Sequence, residues 1–313
     1  MSKIKAIFIV GPTASGKTAL SINLAKKFGG EIICADSMQI YSGIHIASAA
    51  PDESEKCGIP HHLFEFLSTD EQFSVAQYVI KARECIKEIS QKGKLPIIVG
   101  GTGLYISSLL DNTQFEENET DFTLRDELEN EFDRLGGEEM LKRLSCFDIE
   151  TANRLHPNNR RRIIRAFEVY KQTGKTITEH NENSHLLESD FNSLVIGVTY
   201  SDREKLYERI NKRVDIMLEN GLTMEAETTY SKSNNKGAFQ AIGHKEFYKY
   251  FSGECSLQEA TEVLKQQTRR YAKRQLTWFR RDDRINWLYP DCDNNVDLKA
   301  ENLVLEFLKE GKG

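Results

Sequence analysis

The residues Gly11-Pro-Thr-Ala-Ser-Gly-Lys-Thr18 match the phosphate-binding P-loop pattern G-x-x-x-x-G-K-[ST] at every fixed position. A glycine-rich turn between a strand and a helix points backbone N–H groups, and the positive end of the helix dipole, at a phosphate. In such a loop Lys17 would reach the terminal phosphate oxygens, and the Thr18 hydroxyl would ligate Mg²⁺. The alternative is a glycine-containing turn that binds nothing. The pattern predicts a phosphorylated ligand without specifying which, held by Gly11, Thr13, Ala14, Ser15, Gly16, Lys17 and Thr18.

Asp36 supplies a carboxylate directly after the short apolar run that ends at Ala35. One interpretation is the carboxylate that holds Mg²⁺ in an ATPase, and another is an acid that caps the next turn. Asp36 follows Thr18 by only 18 residues, inside the first strand–helix–strand unit. The third apolar run, where a magnesium-binding acid would otherwise lie, ends in Gly100-Gly-Thr102 without a carboxylate. The sequence therefore lacks one part of a dedicated ATP-hydrolysing site.

A second kind of chemistry is indicated by the segment 269–281, which holds six basic residues and no acid. On a helical wheel of about 100° per residue, all six fall within about 140°. These residues, called the basic face below, are Arg269, Arg270, Lys273, Arg274, Arg280 and Arg281. The opposite side carries Ala272, Leu276 and Phe279, while Tyr271 and Trp278 lie at one flank.

Solvated helices usually mix charge signs at i, i+4, so a face without any acid suits a polyanion. Flanking aromatic rings suit unpaired bases. The alternative is a solvated surface with no ligand. A second basic cluster, at Arg160, Arg161, Arg162 and Arg165, could grip the same polyanion. Arg209 and Arg213, one helical turn apart, could add charge to the phosphate site or form ordinary salt bridges.

Metal-binding and disulfide patterns are missing from the sequence. The six cysteines include no C-x-x-C pair and no His/Cys cluster, which argues against a zinc site and a disulfide framework. The adjacent His61 and His62 are expected to serve a turn or a satisfied core contact.

Strands and helices alternate through the first third of the chain, which indicates an α/β fold with a parallel sheet. Strands are predicted at Ile4–Val10, Glu31–Ala35, Leu95–Val99, Leu194–Thr199 and 285–289. Helices are predicted at Ala19–Phe28, Ser74–Lys92, from 103 to about 110, and from Asp202 to about Arg281. Ligands of such sheets bind beyond the carboxyl ends of the strands, so Asp36 and Thr102 should meet the P-loop there.

Residues 112–191 are polar, acid-rich and helical in pattern. We therefore expect a P-loop NTPase-like parallel sheet flanked by helices, formed by residues 1–111 and 192–313, with an inserted all-helical domain at 112–191.

Bulk properties describe an ordinary globular chain of 313 residues, 39% hydrophobic and 29% charged. A net charge of −6 argues against a generic nucleic-acid binder, so only the local basic clusters point to RNA. No apolar run approaches the roughly 18 residues of a membrane span, and Gly11 ends the first run before a signal peptide could form. We expect a cytoplasmic protein without a membrane partner.

Together these residues resemble the bacterial tRNA dimethylallyltransferases, also called tRNA isopentenyltransferases. The matching motifs occur in the family's order and cover nearly the whole chain. They are Gly11–Thr18, Asp36-Ser-Met-Gln39 with Tyr41, Pro60-His-His-Leu63, Gly100-Gly-Thr-Gly-Leu-Tyr105, His156-Pro-Asn158 with Arg162 and Arg165, Ala241-Ile-Gly243, and Lys273-Arg-Gln-Leu-Thr-Trp278.

The resemblance implies transfer of the dimethylallyl group of dimethylallyl diphosphate to N6 of the adenosine immediately 3′ of the tRNA anticodon. Asp36 would then accept the amine proton, Thr102 would orient the base, and the P-loop with Arg213 would hold the diphosphate and Mg²⁺. The tRNA would contact Asp36, Ser37, Met38, Gln39, Arg160, Arg161, Arg162, Ile163, Ile164, Gln240, Ala241, Ile242, Gly243, His244, Lys245, Lys273, Arg274, Gln275, Thr277, Trp278 and Arg280. A protein that clamps a folded RNA needs no second copy, so we expect a monomer.

Three positions depart from the family pattern. Ala50 stands where a lysine is usual, His244 where a tyrosine is usual, and Asn159 where an aspartate is usual. Two other functions fit parts of the sequence: a P-loop small-molecule kinase, which leaves the basic face unexplained, and a nucleotide-dependent RNA-binding protein without chemistry, which leaves Asp36 unexplained.

Overall fold

The computed structural model describes residues 3–115, 122–184, 189–231 and 241–310. The chain divides into two compact units. The first comprises Met1–Leu110 and Asp190–Gly313, and the second comprises Asp111–Ser189.

A six-stranded parallel sheet forms the centre of the first unit, with the strand order β3-β2-β4-β1-β5-β6. The strands are β1 (Ile4–Val10), β2 (Gly30–Cys34), β3 (His61–His62), β4 (Leu95–Gly100), β5 (Phe191–Val198) and β6 (Ile285–Leu288). This confirms the predicted fold class, including the last strand. Of the two alternatives expected for His61 and His62, the satisfied contact is found, because His62 Nε2 lies 2.7 Å from Glu31 Oε2. The two residues pair with β2 instead of forming a turn.

Five helices precede the inserted unit, among the described residues: α1 (Lys17–Phe28), α2 (His45–Ser48), α3 (Glu53–Lys56), α4 (Val75–Gln91) and α5 (Gly103–Leu110). Helix α4 begins with a capping box in which the Ser74 hydroxyl and the Gln77 side chain satisfy each other's backbone N–H groups. The short helices α2 and α3 lie in a stretch whose sequence gave no helical period.

The described residues of the second unit form helices joined by turns and loops. It contains α6 (Phe122–Leu144), α7 (Ile149–Arg154), α8 (Arg160–Thr173) and α9 (Ile177–Ser184). Helix α6 is interrupted at Gly136, where φ is +77°. The core of the second unit includes Leu128, Met140 and Leu144 of α6, packed with Ile163 and Ile164 of α8.

The first unit resumes with β5 and then α10 (Arg203–Glu219), α11 (Leu222–Ser231), α12 (Tyr248–Phe251), α13 (Leu257–Phe279) and α14 (Val296–Lys309). Helices α1 and α14 cover one face of the sheet, where Ile7, Ile9, Ile97 and Ile196 are fully or almost fully buried. Because strands of a parallel sheet are covered by helices on their faces, their sequences are continuous apolar runs. No described helix is both long and apolar enough to cross a membrane.

Candidate active site

The P-loop lies between β1 and α1 and has the backbone conformation that an anion cradle requires. Gly11 has φ +145°, and a side chain there would place its Cβ 2.2 Å from the Val198 carbonyl oxygen in β5. Gly16 has φ +102° and precedes α1, whose first turn has no side-chain cap. The Ser15 hydroxyl is buried, and no hydrogen-bond partner for it exists within the described ranges. The uncapped N–H groups and this unpartnered hydroxyl fit a bound phosphate.

Two cations and one carboxylate interact at this loop. Lys17 Nζ donates a hydrogen bond to the Pro12 carbonyl at 2.6 Å. Burial, and secondly the nearby Arg213 guanidinium, lower the pKa of Lys17 to about 7, although the charge of Asp36 acts in the opposite direction. Burial also lowers the pKa of Arg213, again opposed by Asp36. Since both cations respond to Asp36, the carboxylate and the phosphate loop belong to one site.

Asp36 follows β2, and the backbone fixes one of its oxygens. Asp36 Oδ1 accepts a hydrogen bond from the Met38 N–H at 2.9 Å, and the Asp36 N–H donates to Cys34 Sγ at 3.4 Å. No donor from the described ranges reaches Oδ2. This oxygen can therefore face a substrate while the other holds the turn.

Thr102 lies beside Asp36, as expected from the sheet topology. Thr102 Oγ1 accepts a hydrogen bond from the Ser37 N–H at 2.9 Å, and the Thr102 N–H donates to the Ala35 carbonyl at 3.1 Å. Burial raises the pKa of Tyr271, and the charge of Asp36 raises it further, while a hydrogen bond to Thr102 opposes both. Tyr271 of α13 is thus a further member of the site, one that the sequence placed only at the flank of the basic face.

Gln275 links three segments of the site, a role that sequence reasoning missed. Its Oε1 accepts from the Thr13 N–H at 2.9 Å, and its Nε2 donates to the Gly101 carbonyl at 2.9 Å. We expected Gln275 to contact tRNA, but its side chain is buried and engaged with the two loops. A polar residue at a core-facing helical position was the signal that could have revealed this.

The basic face forms on α13 largely as the helical wheel predicts. Ala272 and Phe279 are buried. The exposed residues on this helix and just after it include Arg270, Lys273, Arg274, Thr277, Trp278, Arg280 and Arg281. Arg269 instead donates to Asn211 Oδ1 at 2.6 Å. Trp278 donates from Nε1 to Ser107 Oγ at 2.9 Å, and its ring lies over Gly103, where a Cβ would come within 2.4 Å.

Several predicted tRNA contacts have other partners in the structure. Gln39 Nε2 donates to the Ser48 and Ala49 carbonyls, at 3.2 and 3.1 Å. In the segment 241–245, Ala241, Gly243 and His244 are buried, Ile242 is partly buried, and Lys245 is exposed. Gln240 lies outside the described residues. Arg209 donates to the Ala14 carbonyl at 3.0 Å, so it supports the P-loop rather than pairing with an acid.

The basic cluster of the second unit contains two arginines that form ion pairs with acids of the same unit. Arg160 pairs with Glu129 and Asp133, and Arg165 pairs with Glu168. Ile163 and Ile164, also expected at the tRNA, are fully buried in the core of this unit. The side chains of Arg161 and Arg162, in the first turn of α8, are exposed.

Similarity to known proteins identifies the family. The family profile described as IPP transferase matches residues 39–282. A tRNA dimethylallyltransferase of Acetivibrio thermocellus is 50% identical over 299 residues, which cover 95% of each chain. The chain belongs to the IPP transferase family.

Solved structures of IPP transferase relatives share the fold. A full-length tRNA isopentenylpyrophosphate transferase of Bacillus halodurans aligns with a TM-score of 0.74 at 41% identity, over 98% of both chains. A eukaryotic dimethylallyltransferase acting on tRNA aligns with a TM-score of 0.84 at 33% identity, over 98% of this chain and 80% of that one. The predicted family resemblance is confirmed. No cluster of three or more His, Cys, Asp or Glu side chains that could hold a metal ion occurs among the described residues.

Proposed function

We propose that this protein transfers the dimethylallyl group from dimethylallyl diphosphate to N6 of the adenosine immediately 3′ of the anticodon in tRNA. The observation that carries the proposal is the chain of hydrogen bonds that joins the Asp36 turn to the P-loop. The Ser37 N–H donates to Thr102 Oγ1 at 2.9 Å, and Gln275 bonds both the Gly101 carbonyl and the Thr13 N–H at 2.9 Å. A base for the amine and a cradle for the diphosphate would thus share one site.

The P-loop would stabilise the leaving group. An allylic carbon–oxygen bond breaks readily when the departing diphosphate is stabilised, and buried cations do this strongly. Lys17, Arg213 and the uncapped N–H groups of α1 supply the positive charge. Loss of the diphosphate would release Lys17 to return to the Pro12 carbonyl, its partner in the present structure.

Mg²⁺ would be held by the Thr18 hydroxyl together with diphosphate oxygens. Thr18 is exposed at the first turn of α1, and a P-loop magnesium ion needs few protein ligands. When bound, the ion would neutralise part of the charge on the diphosphate.

Asp36 would accept a proton from the exocyclic amine. The N6 lone pair is delocalised into the adenine ring, so the amine is a poor nucleophile until its proton is accepted. The bond from N6 to the allylic carbon forms while the carbon–oxygen bond breaks. The electron pair of the broken carbon–oxygen bond leaves with the diphosphate, and the N6 proton passes to Asp36 Oδ2. Thr102, fixed by Ser37, would orient the base.

The tRNA would be held by the exposed part of the basic face and by Arg161 and Arg162. Phosphate contacts of this kind position an RNA without reading its sequence. The adenine must leave the anticodon-loop stack to reach Asp36, as bases do in other enzymes that modify them. We expect the enzyme to work as a monomer in the cytoplasm.

The test is direct. The purified protein is incubated with unmodified tRNA and dimethylallyl diphosphate, without ATP, and the digested nucleosides are analysed by mass spectrometry. We expect a mass gain of one dimethylallyl group on adenosine. ATP-dependent phosphate transfer without this gain would instead favour a small-molecule kinase, and tRNA binding without either product would favour an RNA-binding protein without chemistry.

A further inference from the structure

The Glu225 carboxylate, on α11, binds the start of α2. Its Oε2 accepts from the Ile46 N–H at 2.8 Å and its Oε1 accepts from the Ala47 N–H at 2.9 Å. Oε1 also lies 2.9 Å from Nε2 of His244, which is fully buried. Burial by itself would raise the pKa of Glu225, but the hydrogen bonds from His244, Ala47 and Ile46 outweigh burial and lower it. The carboxylate is therefore ionised, and His244 Nε2 is the donor.

From α2 a chain of contacts continues to Asp36. The Ser48 and Ala49 carbonyls, at the other end of α2, accept from Gln39 Nε2. Gln39 Oε1 lies 3.6 Å from Cys34 Sγ, and that sulfur accepts from the Asp36 N–H at 3.4 Å. Every member of this chain is at least partly buried, so α2 and the Asp36 turn form one hydrogen-bonded assembly.

This assembly depends on a charge. Hydrogen bonds to an ionised carboxylate are about twice as strong as neutral ones, and Glu225 makes three of them. The loop from Asp36 to Ala50 contains the four-residue helix α2, which is too short to hold its own position. Without Glu225 the partly buried N–H groups of Ile46 and Ala47 would lose their partner, and α2 would shift.

We propose that Glu225, held by His244, is a positioning residue that keeps Asp36 Oδ2 in line with the substrate amine. This inference rests on the proposed function, since it assigns Asp36 as the base. Misplacement of a reacting group by about 1 Å can cost about 100-fold in rate. Glu225 is not among the residues proposed to contact either substrate, and it acts only through α2.

A double-mutant cycle tests this inference. The single-turnover rate of prenyl transfer is measured at saturating tRNA and dimethylallyl diphosphate for wild type, Glu225→Gln, Asp36→Asn and the double variant. We expect Glu225→Gln to lose about 10- to 100-fold in the wild-type background and under about 2-fold with Asp36→Asn, because a misplaced base no longer matters once the base is gone. Equal losses in both backgrounds would overturn the inference.

The matched control is Asp291→Asn. Asp291 also accepts from two backbone N–H groups, Ser201 at 2.9 Å and Asp202 at 3.0 Å, but has no link to the Asp36 turn. We expect this variant to keep the wild-type rate. An equal loss in this control would assign the effect to general destabilisation and overturn the inference.

A second pair of variants serves if Glu225→Gln does not fold. His244→Tyr keeps a donor for Glu225 as a phenolic hydroxyl, whereas His244→Phe has nearly the same size and no donor. We expect the tyrosine variant to retain most of the rate and the phenylalanine variant to lose about 10-fold or more. Equal rates for the two would overturn the inference. An inactive wild-type protein would refute the proposed function instead, so the two failures are distinguishable.

Discussion

Gln275 accepts a hydrogen bond from the Thr13 N–H at 2.9 Å, so helix α13 directly holds the phosphate-binding loop. The same side chain donates to the Gly101 carbonyl at 2.9 Å, and an added Cβ at Gly101 would lie 2.1 Å from its Nε2. The helix that presents the basic face thereby also fixes the distance between the P-loop and the Thr102 loop. Under the proposed function, RNA on the basic face and diphosphate in the P-loop would be connected through this one amide.

Gln275→Ala should lower the stability of the protein and raise its KM for dimethylallyl diphosphate. The buried Thr13 N–H and Gly101 carbonyl would each lose a partner, which costs about 1–3 kcal/mol per group. We expect a lower denaturation midpoint in urea and a higher KM for dimethylallyl diphosphate. Gln266→Ala, the same replacement at an exposed position of α13 outside the basic face, is the control and should leave both unchanged. A Gln275→Ala variant with wild-type KM would contradict the role of this bridge.

The sheet and the P-loop could be predicted from the sequence because their signals are local. A buried parallel strand such as β1 reads as an apolar run, and the turn that follows needs glycine at positive φ. The bridge by Gln275 could not be predicted in this way. It joins residues 262 positions apart, and only the packed fold brings α13 onto the two loops.

Several of the predicted tRNA residues share a physical feature, since their side chains lie in the interior. Ile163 and Ile164 carry the apolar period of α8 and are buried, yet they were assigned to tRNA from the family motif. His244 was assigned in the same way, although its side chain faces Glu225 in the interior. A residue in a family motif can support neighbouring residues of the site without its own side chain contacting a ligand. The strand β3 was missed because two residues are too few for a periodic signal.

Replacing the proposed base should separate binding from chemistry. Asp36→Asn retains an oxygen that can accept from the Met38 N–H but cannot take up a proton at neutral pH. General-base catalysis typically contributes 10²–10⁴-fold, so we expect a loss of about that size in single-turnover rate. Filter binding should show an unchanged Kd for tRNA. Wild-type turnover in this variant would overturn the assignment of Asp36 as base.

The low pKa of Lys17 predicts pH-dependent binding of the diphosphate. In the free protein this pKa is about 7, and a bound anion raises it, so binding takes up a proton above that pH. The Kd for dimethylallyl diphosphate should therefore increase with pH, approaching tenfold per unit, between about pH 7 and about pH 9. Isothermal titration calorimetry measures it. Lys17→Arg stays charged over this range and should give a much flatter profile, and the proposed protonation is wrong if both profiles are equally flat.

Lys17 should also affect the stability of the ligand-free protein. Its folded-state pKa of about 7 lies below the ordinary lysine pKa of 10.5, so the unfolded chain binds more protons between these values. Stability from this group therefore rises as pH increases from about 7 towards 10.5. Lys17→Met removes the buried charge and should raise Tm at pH 7 by roughly 2–4 °C per kcal/mol gained. A lower Tm for this variant would show that the bond to Pro12 outweighs the burial of charge.

The exposed part of the basic face should determine the salt dependence of tRNA binding. The triple variant Lys273→Gln, Arg274→Gln and Arg280→Gln removes three exposed cations but leaves Arg269, which is bonded to Asn211. Each phosphate contact contributes about 0.7–0.9 to the slope of log K against log salt, so the slope should fall by about 2. The affinity at low salt should fall with it, as measured by filter binding across a salt series.

The control replaces two exposed lysines of the same unit, Lys87 and Lys94, which lie on α4 and just before β4. Their removal changes net charge by a similar amount without touching the basic face. A salt slope that falls only in the triple variant locates the phosphate contacts on α13. Equal slopes in the two variants would mean that tRNA responds to the overall charge of the protein, and that α13 presents its cations to another ligand.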